Sequence, residues 1–338
     1  MVTISLCMIV KNEEDILGRC LSSVADLMDE IIVVDTGSTD GTKEIAAMFT
    51  DKIYDFPWVD DFSLARNFAF HKASCDYIYS ADADEVLDEE NHRRFANLKA
   101  ALVSDVEIVQ MWYCEQGTQT VLNAKKEYRP KLYKRLRTFT WVDPIHETVR
   151  LDPVVFDSDV EILHMPVGNH SERDFRIFEL SFETEGRLSQ KLYEMYAREL
   201  YKWGKPEDLA KGKKIFLSVL QNEEVSQELF LDICTVIAKA DSLLGNLTGF
   251  MKYAMKVVSL CPNAEICKEM GDFYFAKEDF AEAAIWYHNA IHETESTLDI
   301  MVKGKATMVA LSDCYEKTGQ GDLAAHYLTE AGNWQMPE

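Results

Sequence analysis

The sequence predicts an α/β domain built on a mostly parallel sheet with helices on both faces, followed by an all-α helical-repeat domain. Three observations carry this. Ile31–Val34 is a short, wholly apolar, β-branched run that reads as a buried strand, and it stops at Asp35 in a turn of Thr, Gly, Ser and Asp that feeds a helix near Lys43. Tyr77–Ala81 repeats the pattern and ends in the acidic run Asp82-Ala83-Asp84-Glu85. Beyond residues 168–171 strand-like runs vanish and the chain is helical in pattern to its end. Open α/β sheets bind ligands outside the carboxyl ends of their strands. Two strand ends that both deliver carboxylates therefore point to one shared site, with residue types suited to a nucleotide and a metal.

In order, Val2–Val10 predicts a first strand, and Glu14–Met28 carries a helical apolar stripe of Ile16, Leu17, Cys20, Leu21, Val24 and Leu27. The second strand is Ile31–Val34. Its following helix has Ser38, Thr39 and Asp40 as alternative N-caps. Lys52–Phe56 predicts a third strand, Phe62–Lys72 a helix with Arg66 near its start, and Tyr77–Ala81 a fourth strand. A helix over His92–Leu102 and strands around Val106–Tyr113 and Arg129–Tyr133 follow. Glu161–Met165 is a strand containing His164 near its end. Alternating strands and helices are the mark of a largely parallel sheet.

The formal net charge is −23, from 58 acidic and 35 basic residues, which argues against a nucleic-acid surface or an anionic membrane as main partner. Nucleotide binding is not opposed, because a divalent cation supplies counter-charge to a diphosphate. The eight cysteines are scattered without a Cys-x-x-Cys pair, so neither a disulfide framework nor a structural zinc site is expected. The first ten residues run straight into Lys11-Asn12-Glu13-Glu14 and read as a strand rather than a leader. No apolar run approaches the ~18–20 residues needed to cross a bilayer. A cytoplasmic, reducing setting is the expectation.

Five stretches then carry a family resemblance. Asp35-Thr36-Gly37-Ser38-Thr39-Asp40-Gly41-Thr42 with Asp82-Ala83-Asp84 resembles the nucleotide-sugar signature of family 2 glycosyltransferases of the GT-A fold. Leu6-Cys7-Met8-Ile9-Val10-Lys11-Asn12-Glu13-Glu14 and Phe62-Ser63-Leu64-Ala65-Arg66-Asn67 match the same family, and Trp141-Val142-Asp143-Pro144-Ile145-His146-Glu147 resembles the Trp…His-Glu element of a subset of it. The helical half, from residue 169, holds four stretches of one form: Tyr201–Ala210, Leu243–Asn246, Phe273–Ala283 and Cys314–Ala325. Each ends one helix, turns on a polar patch and starts another. Their spacing is roughly 30–40 residues, near the tetratricopeptide period, and such stacked pairs serve acceptor binding or homodimerisation.

The resemblance implies roles residue by residue. Asp84 is the direct ligand of Mg2+ or Mn2+, Asp82 lies toward the ribose or the metal's waters, and His164 is a further ligand or else a structural histidine. Val10, Glu13, Asp35, Arg66, Asp82 and Ala83 form the donor-binding set. Asp35 meets the uracil or ribose, with helix capping as its alternative, and Arg66 meets the base or diphosphate, with a surface salt bridge as its alternative. Deprotonating the acceptor calls for a base: Glu147 with His146 positioning it, or Asp143. An ordinary loop is the structural alternative for that stretch.

The implied reaction is metal-dependent, inverting transfer of a hexose, glucose foremost, from a UDP-sugar to an acceptor thiol or hydroxyl. A transferase domain joined to a helical repeat resembles the enzymes that glycosylate Cys or Ser of bacteriocin peptides. Transferases acting on cell-envelope polysaccharide or lipopolysaccharide acceptors are the alternative. A non-catalytic, peptide-binding repeat protein is a third reading, and a nucleotidyltransferase with a similar sheet a fourth.

Overall fold

The computed structural model describes residues 2–115, 126–135, 141–142, 144–145, 148–149, 154–165 and 171–336. The chain divides into two compact units, one drawn from the residues up to 165 and the other from residue 171 onward.

The first unit holds an eight-stranded sheet in the order β3-β2-β1-β4-β7-β6-β10-β5. Its strands are β1 (Ile4–Val10), β2 (Glu30–Asp35), β3 (Ile53–Asp55), β4 (Tyr77–Ser80), β5 (Glu85–Val86), β6 (Ile108–Glu115), β7 (Lys126–Lys134) and β10 (Val155–His164). A separate antiparallel pair joins β8 (Trp141–Val142) to β9 (Thr148–Val149). From β3 to β4 every neighbour is parallel. β7 then inserts antiparallel between β4 and β6, and β5 closes the order antiparallel to β10. The sheet is thus parallel where the first two carboxylate-bearing strands lie and mixed beyond.

Helices cover both faces, and strand alternation decides which residue meets which. Ile4, Leu6 and Met8 of β1 share a core with Leu17, Cys20, Leu21 and Val24 of α1 (Leu17–Val24), Ala46 of α2 (Thr42–Ala47) and Phe95 of α4 (Glu89–Ala101). On the other face Cys7, Ile32, Val34 and Ile78 pack with Ala69 and Phe70 of α3 (Phe62–Lys72). Both faces of β1 and β2 are therefore buried, which is why these strands read as continuous apolar runs.

Helix α3 spans the predicted residues and is capped by Asp61, whose Oδ1 accepts the Leu64 N–H at 3.2 Å. Helix α4 starts three residues earlier than predicted, because Asp88 caps it by accepting the Asn91 N–H at 2.8 Å. The predicted helix over Glu14–Met28 shortens to α1 plus a 3-10 turn over Ala25–Leu27.

The second unit is helical: α5 (Ser171–Glu185), α6 (Gln190–Trp203), α7 (Pro206–Asn222), α8 (Gln227–Leu243), α9 (Leu247–Leu260), α10 (Ala264–Ala276), α11 (Phe280–His288), α12 (Lys305–Lys317) and α13 (Gly321–Asn333). The four turns predicted from sequence fall between α6 and α7, α8 and α9, α10 and α11, and α12 and α13. Three of them share a left-handed residue, Gly245 (φ 72°), Glu278 (φ 62°) and Gly319 (φ 78°). Between α11 and α12 an inserted segment is tied down by Glu265, whose carboxylate accepts the N–H groups of Thr297, Leu298 and Asp299 at 3.1, 2.9 and 2.8 Å. Among the described residues no helix is long and apolar enough to cross a membrane.

Candidate nucleotide and cation site

Strands β2 and β4 flank β1, so their carboxyl ends lie on either side of it. At the end of β2 the Asp35 side chain is 1% exposed. Its Oδ2 accepts the N–H groups of Gly37 and Ser38, both at 3.1 Å, and lies 3.4 Å from Lys43 Nζ. Oδ1 has a longer bond, 3.3 Å from the Ser38 N–H. Gly37 has φ +105°, a conformation that suits glycine. Asp35 therefore shapes its own turn; the N-cap of α2 is Gly41, not one of the predicted Ser38, Thr39 or Asp40, and Asp40 Oδ1 accepts the Thr42 N–H at 3.1 Å just ahead of the helix.

The loop after β1 is fastened to that turn. Asn12, itself left-handed at φ 56°, gives its N–H to Ser38 Oγ (2.9 Å) and takes the Thr39 N–H on Oδ1 (2.8 Å). The Glu13 N–H meets Thr42 Oγ1 at 2.7 Å, and Glu14 Oε2 accepts the Gly41 N–H at 2.7 Å. The carbonyl of Val10 is taken by the Thr36 N–H at 2.9 Å. Two adjacent loops thus form one rigid rim.

The other rim follows β4. Arg66 of α3 donates to Ser80 Oγ and to Asp82 Oδ1, each at 3.0 Å. Desolvation would raise Asp82, but Arg66, Lys131 and Arg129 more than reverse it and hold the carboxyl well below the usual carboxylate range. Ala83 is buried between the two aspartates. Asp84 then turns to the last residue of β10: its Oδ2 is 2.8 Å from His164 Nε2, and the Met165 N–H donates to its carbonyl at 2.9 Å. Asp84 Oδ1 is buried and has no hydrogen-bond partner among the described residues. A carboxylate oxygen left bare in a folded interior is costly, and a cation would satisfy it.

Sequence reasoning missed the layer beneath. Glu85, 2% exposed, pairs with Lys131 of β7, also buried. Burial raises Glu85 above the ordinary carboxylate range, and Lys131 restrains the rise. The Arg129 guanidinium lies 3.7 Å above the Tyr113 ring, and the His164 ring centroid is 5.0 Å from that of Tyr113. The signal was present as Glu127, Arg129 and Lys131 alternating along β7, but a charged face on a strand ordinarily reads as solvated.

The structure brings Arg66, Asp82, Asp84 and His164 together, and it sets Val10, Glu13 and Asp35 in the neighbouring rim. The predicted base candidates Asp143, His146 and Glu147 lie outside the described residues. Their described neighbour Pro144 accepts the Phe62 N–H at 2.9 Å, and β8 packs against α3, the helix that carries Arg66. Among the described residues no three His, Cys, Asp or Glu side chains converge on one metal position. Asp84 and His164 are the two side chains here that would hold a divalent cation, a class of ion that ordinarily takes its remaining ligands from phosphate oxygens and water.

Comparison with known proteins finds similarity to glycosyltransferases and to a repeat protein. Residues 5–150 match the model of Glycosyl transferase family 2. Glycosyltransferase SunS, SPbeta prophage-derived, of Bacillus subtilis is 28% identical over 224 residues, covering 61% of this chain and 51% of its own. An uncharacterized glycosyltransferase of Rickettsia typhi is 30% identical over 169 residues, covering 48% of this chain and 56% of its own. A TPR repeat-containing protein of Synechococcus elongatus is 52% identical over 87 residues, 26% of this chain and 22% of its own. The chain thus spans about half the length of the two glycosyltransferases. Among solved structures, glucosyl-3-phosphoglycerate synthase from Mycobacterium tuberculosis, with Mg2+ and uridine diphosphate, aligns over 56% of this chain and 81% of its own. The TM-score is 0.40 at 14% identity.

Proposed function

We propose that the unit carrying this family 2 glycosyltransferase domain transfers a hexose, glucose foremost, from a UDP-sugar to an acceptor thiol or hydroxyl, with inversion and with help from Mg2+ or Mn2+. The observation that carries the reading is the buried Oδ1 of Asp84, unpartnered among the described residues. It stands beside His164 and next to an Asp82 already committed to Arg66. The donor set fits a divalent cation, with Asp84 and His164 holding it; Asp82, clamped by Arg66, would reach its waters or the ribose. When bound, the ion neutralises charge on the leaving diphosphate.

The chain's own residues supply the rest. Arg66 fixes Asp82 as an ionised acceptor. The stapled loops after β1 and β2 present Glu13 and Asp35 toward the base and ribose, and Asp35 Oδ1, held only by the longer bond, is the atom left for a base N–H. Glu147 removes the acceptor proton as the donor bond breaks, with His146 orienting it; Asp143 is the rival base. For the acceptor we favour Cys or Ser of a peptide, because stacked helix pairs such as α8–α9, α10–α11 and α12–α13 offer an extended surface to a polypeptide.

The test is nucleotide release from a panel of UDP- and GDP-sugars with Mn2+, comparing wild type with Asp84→Asn. Turnover of one UDP-sugar, lost on substitution or chelation, is the expected result. Folded protein that neither releases nor binds nucleotide would overturn the enzyme reading. Peptide and glycan acceptors are then compared on the donor found.

A further inference from the structure

Strand β5 is two residues long and stands at the edge of the sheet. Two ladder positions join it to β10, Glu85 opposite His164 and Val86 opposite Leu163. A strand that short has little intrinsic persistence. Asp84 immediately precedes it, so the separation of Asp84 from His164 depends on whether β5 keeps its register. The Glu85 side chain reaches inward to Lys131 of β7, although β6 and β10 separate β7 from β5 in the sheet order. The ion pair therefore spans the inside of the sheet and fastens an edge strand to a central one.

Buried ion pairs are poor stabilisers: desolvating two charges offsets most of their attraction, and apolar replacements are often neutral or better. A pair kept at 7% and 2% side-chain exposure is better explained by what it positions. We propose that Lys131 is a positioning residue for the cation site: by holding Glu85 it keeps β5 in register with β10 and sets Asp84 against His164. The inference rests on the donor-and-cation reading above and deepens it. Lys131 touches neither donor nor cation in this scheme. Besides its charge, which favours an ionised Asp82, it acts through Glu85 and the peptide linking Glu85 to Asp84, much as groups behind a metal's ligands orient them.

The test measures Mn2+ affinity of the full chain with saturating UDP, from the paramagnetic resonance signal of free Mn2+, alongside thermal melting. Wild type is compared with Lys131→Met, Lys131→Arg and the double variant Glu85→Gln/Lys131→Met. Orienting groups of this kind cost about 10–100-fold in metal affinity when removed, so Lys131→Met is expected to bind Mn2+ at least about tenfold more weakly while still folded. Lys131→Arg keeps the charge and is expected to recover most of that loss. In donor turnover the Mn2+ concentration for half-maximal rate rises, while kcat at saturating Mn2+ changes little.

Lys131→Met that folds and binds Mn2+ as wild type does overturns the proposal. Should Lys131→Met fail to fold, the double variant, which leaves no lone buried charge, decides: weakened Mn2+ binding supports the proposal, wild-type binding overturns it. Failure of both to fold assigns Lys131 to stability and also overturns it. Wild type that binds no Mn2+ with UDP removes the reading on which the inference stands, a result separable from failure of the variants alone.

Discussion

The turns after β2 and β4 begin alike, each an apolar strand running into aspartate on one side of β1, yet they end in opposite electrostatic states. Asp35 is buried with amides on both oxygens and Lys43 beside one of them. Asp84 is half-buried, with a histidine on one oxygen and, among the described residues, no hydrogen-bond partner on the other, which is itself buried. A carboxylate that its own turn satisfies is architecture; one with a buried oxygen left short of a partner is poised for a ligand. Sequence pattern places both residues, and only hydrogen-bond completeness tells them apart.

The sharpest way to break the comparison is to remove the carboxylate at each position. Asp84→Asn is expected to lower metal-dependent nucleotide release by about 10²–10³-fold, the scale for losing one electrostatic stabiliser, with melting temperature little changed. Asp35→Ala is expected to do the reverse. It strands the Gly37 and Ser38 amides and costs about 1–3 kcal/mol of stability, while donor turnover falls far less. Denaturant unfolding and initial rates on the same preparations check both. Equal losses of activity without loss of stability at Asp35 would show that its bond to the donor base outweighs its part in the turn.

A smaller effect is expected at Arg66, which serves the second turn. Arg66→Ala removes charge-assisted bonds to Asp82 and Ser80, worth about 1.5–3 kcal/mol each in similar settings. UDP affinity, read by calorimetry with Mn2+ present, should weaken about tenfold or more, and Arg66→Lys should restore part of it. Unchanged UDP affinity would reduce Arg66 to a structural clamp.

Much of this arrangement was legible beforehand, for identifiable reasons. Strands buried on both faces leave apolar runs, so β1, β2 and β4 stood out, and the polar turns marked α6 through α13. Glu85–Val86 could not be read as a strand: two residues inside an acidic turn carry no periodicity. Lys131 carried no signal of its own, because lysine is rarely buried without a partner and its partner Glu85 lies 46 residues away. Glu278 takes a left-handed turn position where Gly245 and Gly319 stand in the equivalent turns, which residue preference would not anticipate. His164 was recognisable as a strand-end histidine, but its distance to Asp84 is a product of the β5–β10 ladder.

The mildest test uses the other end of β2, where Glu30 repeats the satisfied state of Asp35 far from the cation site. Its side chain, 5% exposed, binds Lys52 at 2.6 Å, the Ser74 N–H at 2.8 Å and Ser74 Oγ at 3.0 Å, and it accepts from Ser5 Oγ. Burial alone would raise its pKa, but these partners outweigh burial and bring it down to about 2 from 4.5. A depressed carboxylate contributes stability that is fully present above its unfolded pKa and is lost as pH falls through the folded one. The window is therefore pH 4.5 down to 2, and the contribution is at most about 3 kcal/mol. Glu30→Gln should be less stable than wild type at pH 7 in urea unfolding, and the gap should close as pH falls through that window. A pH-independent gap at Glu30 would mean that its bonds, and not its charge, hold that end of the strand.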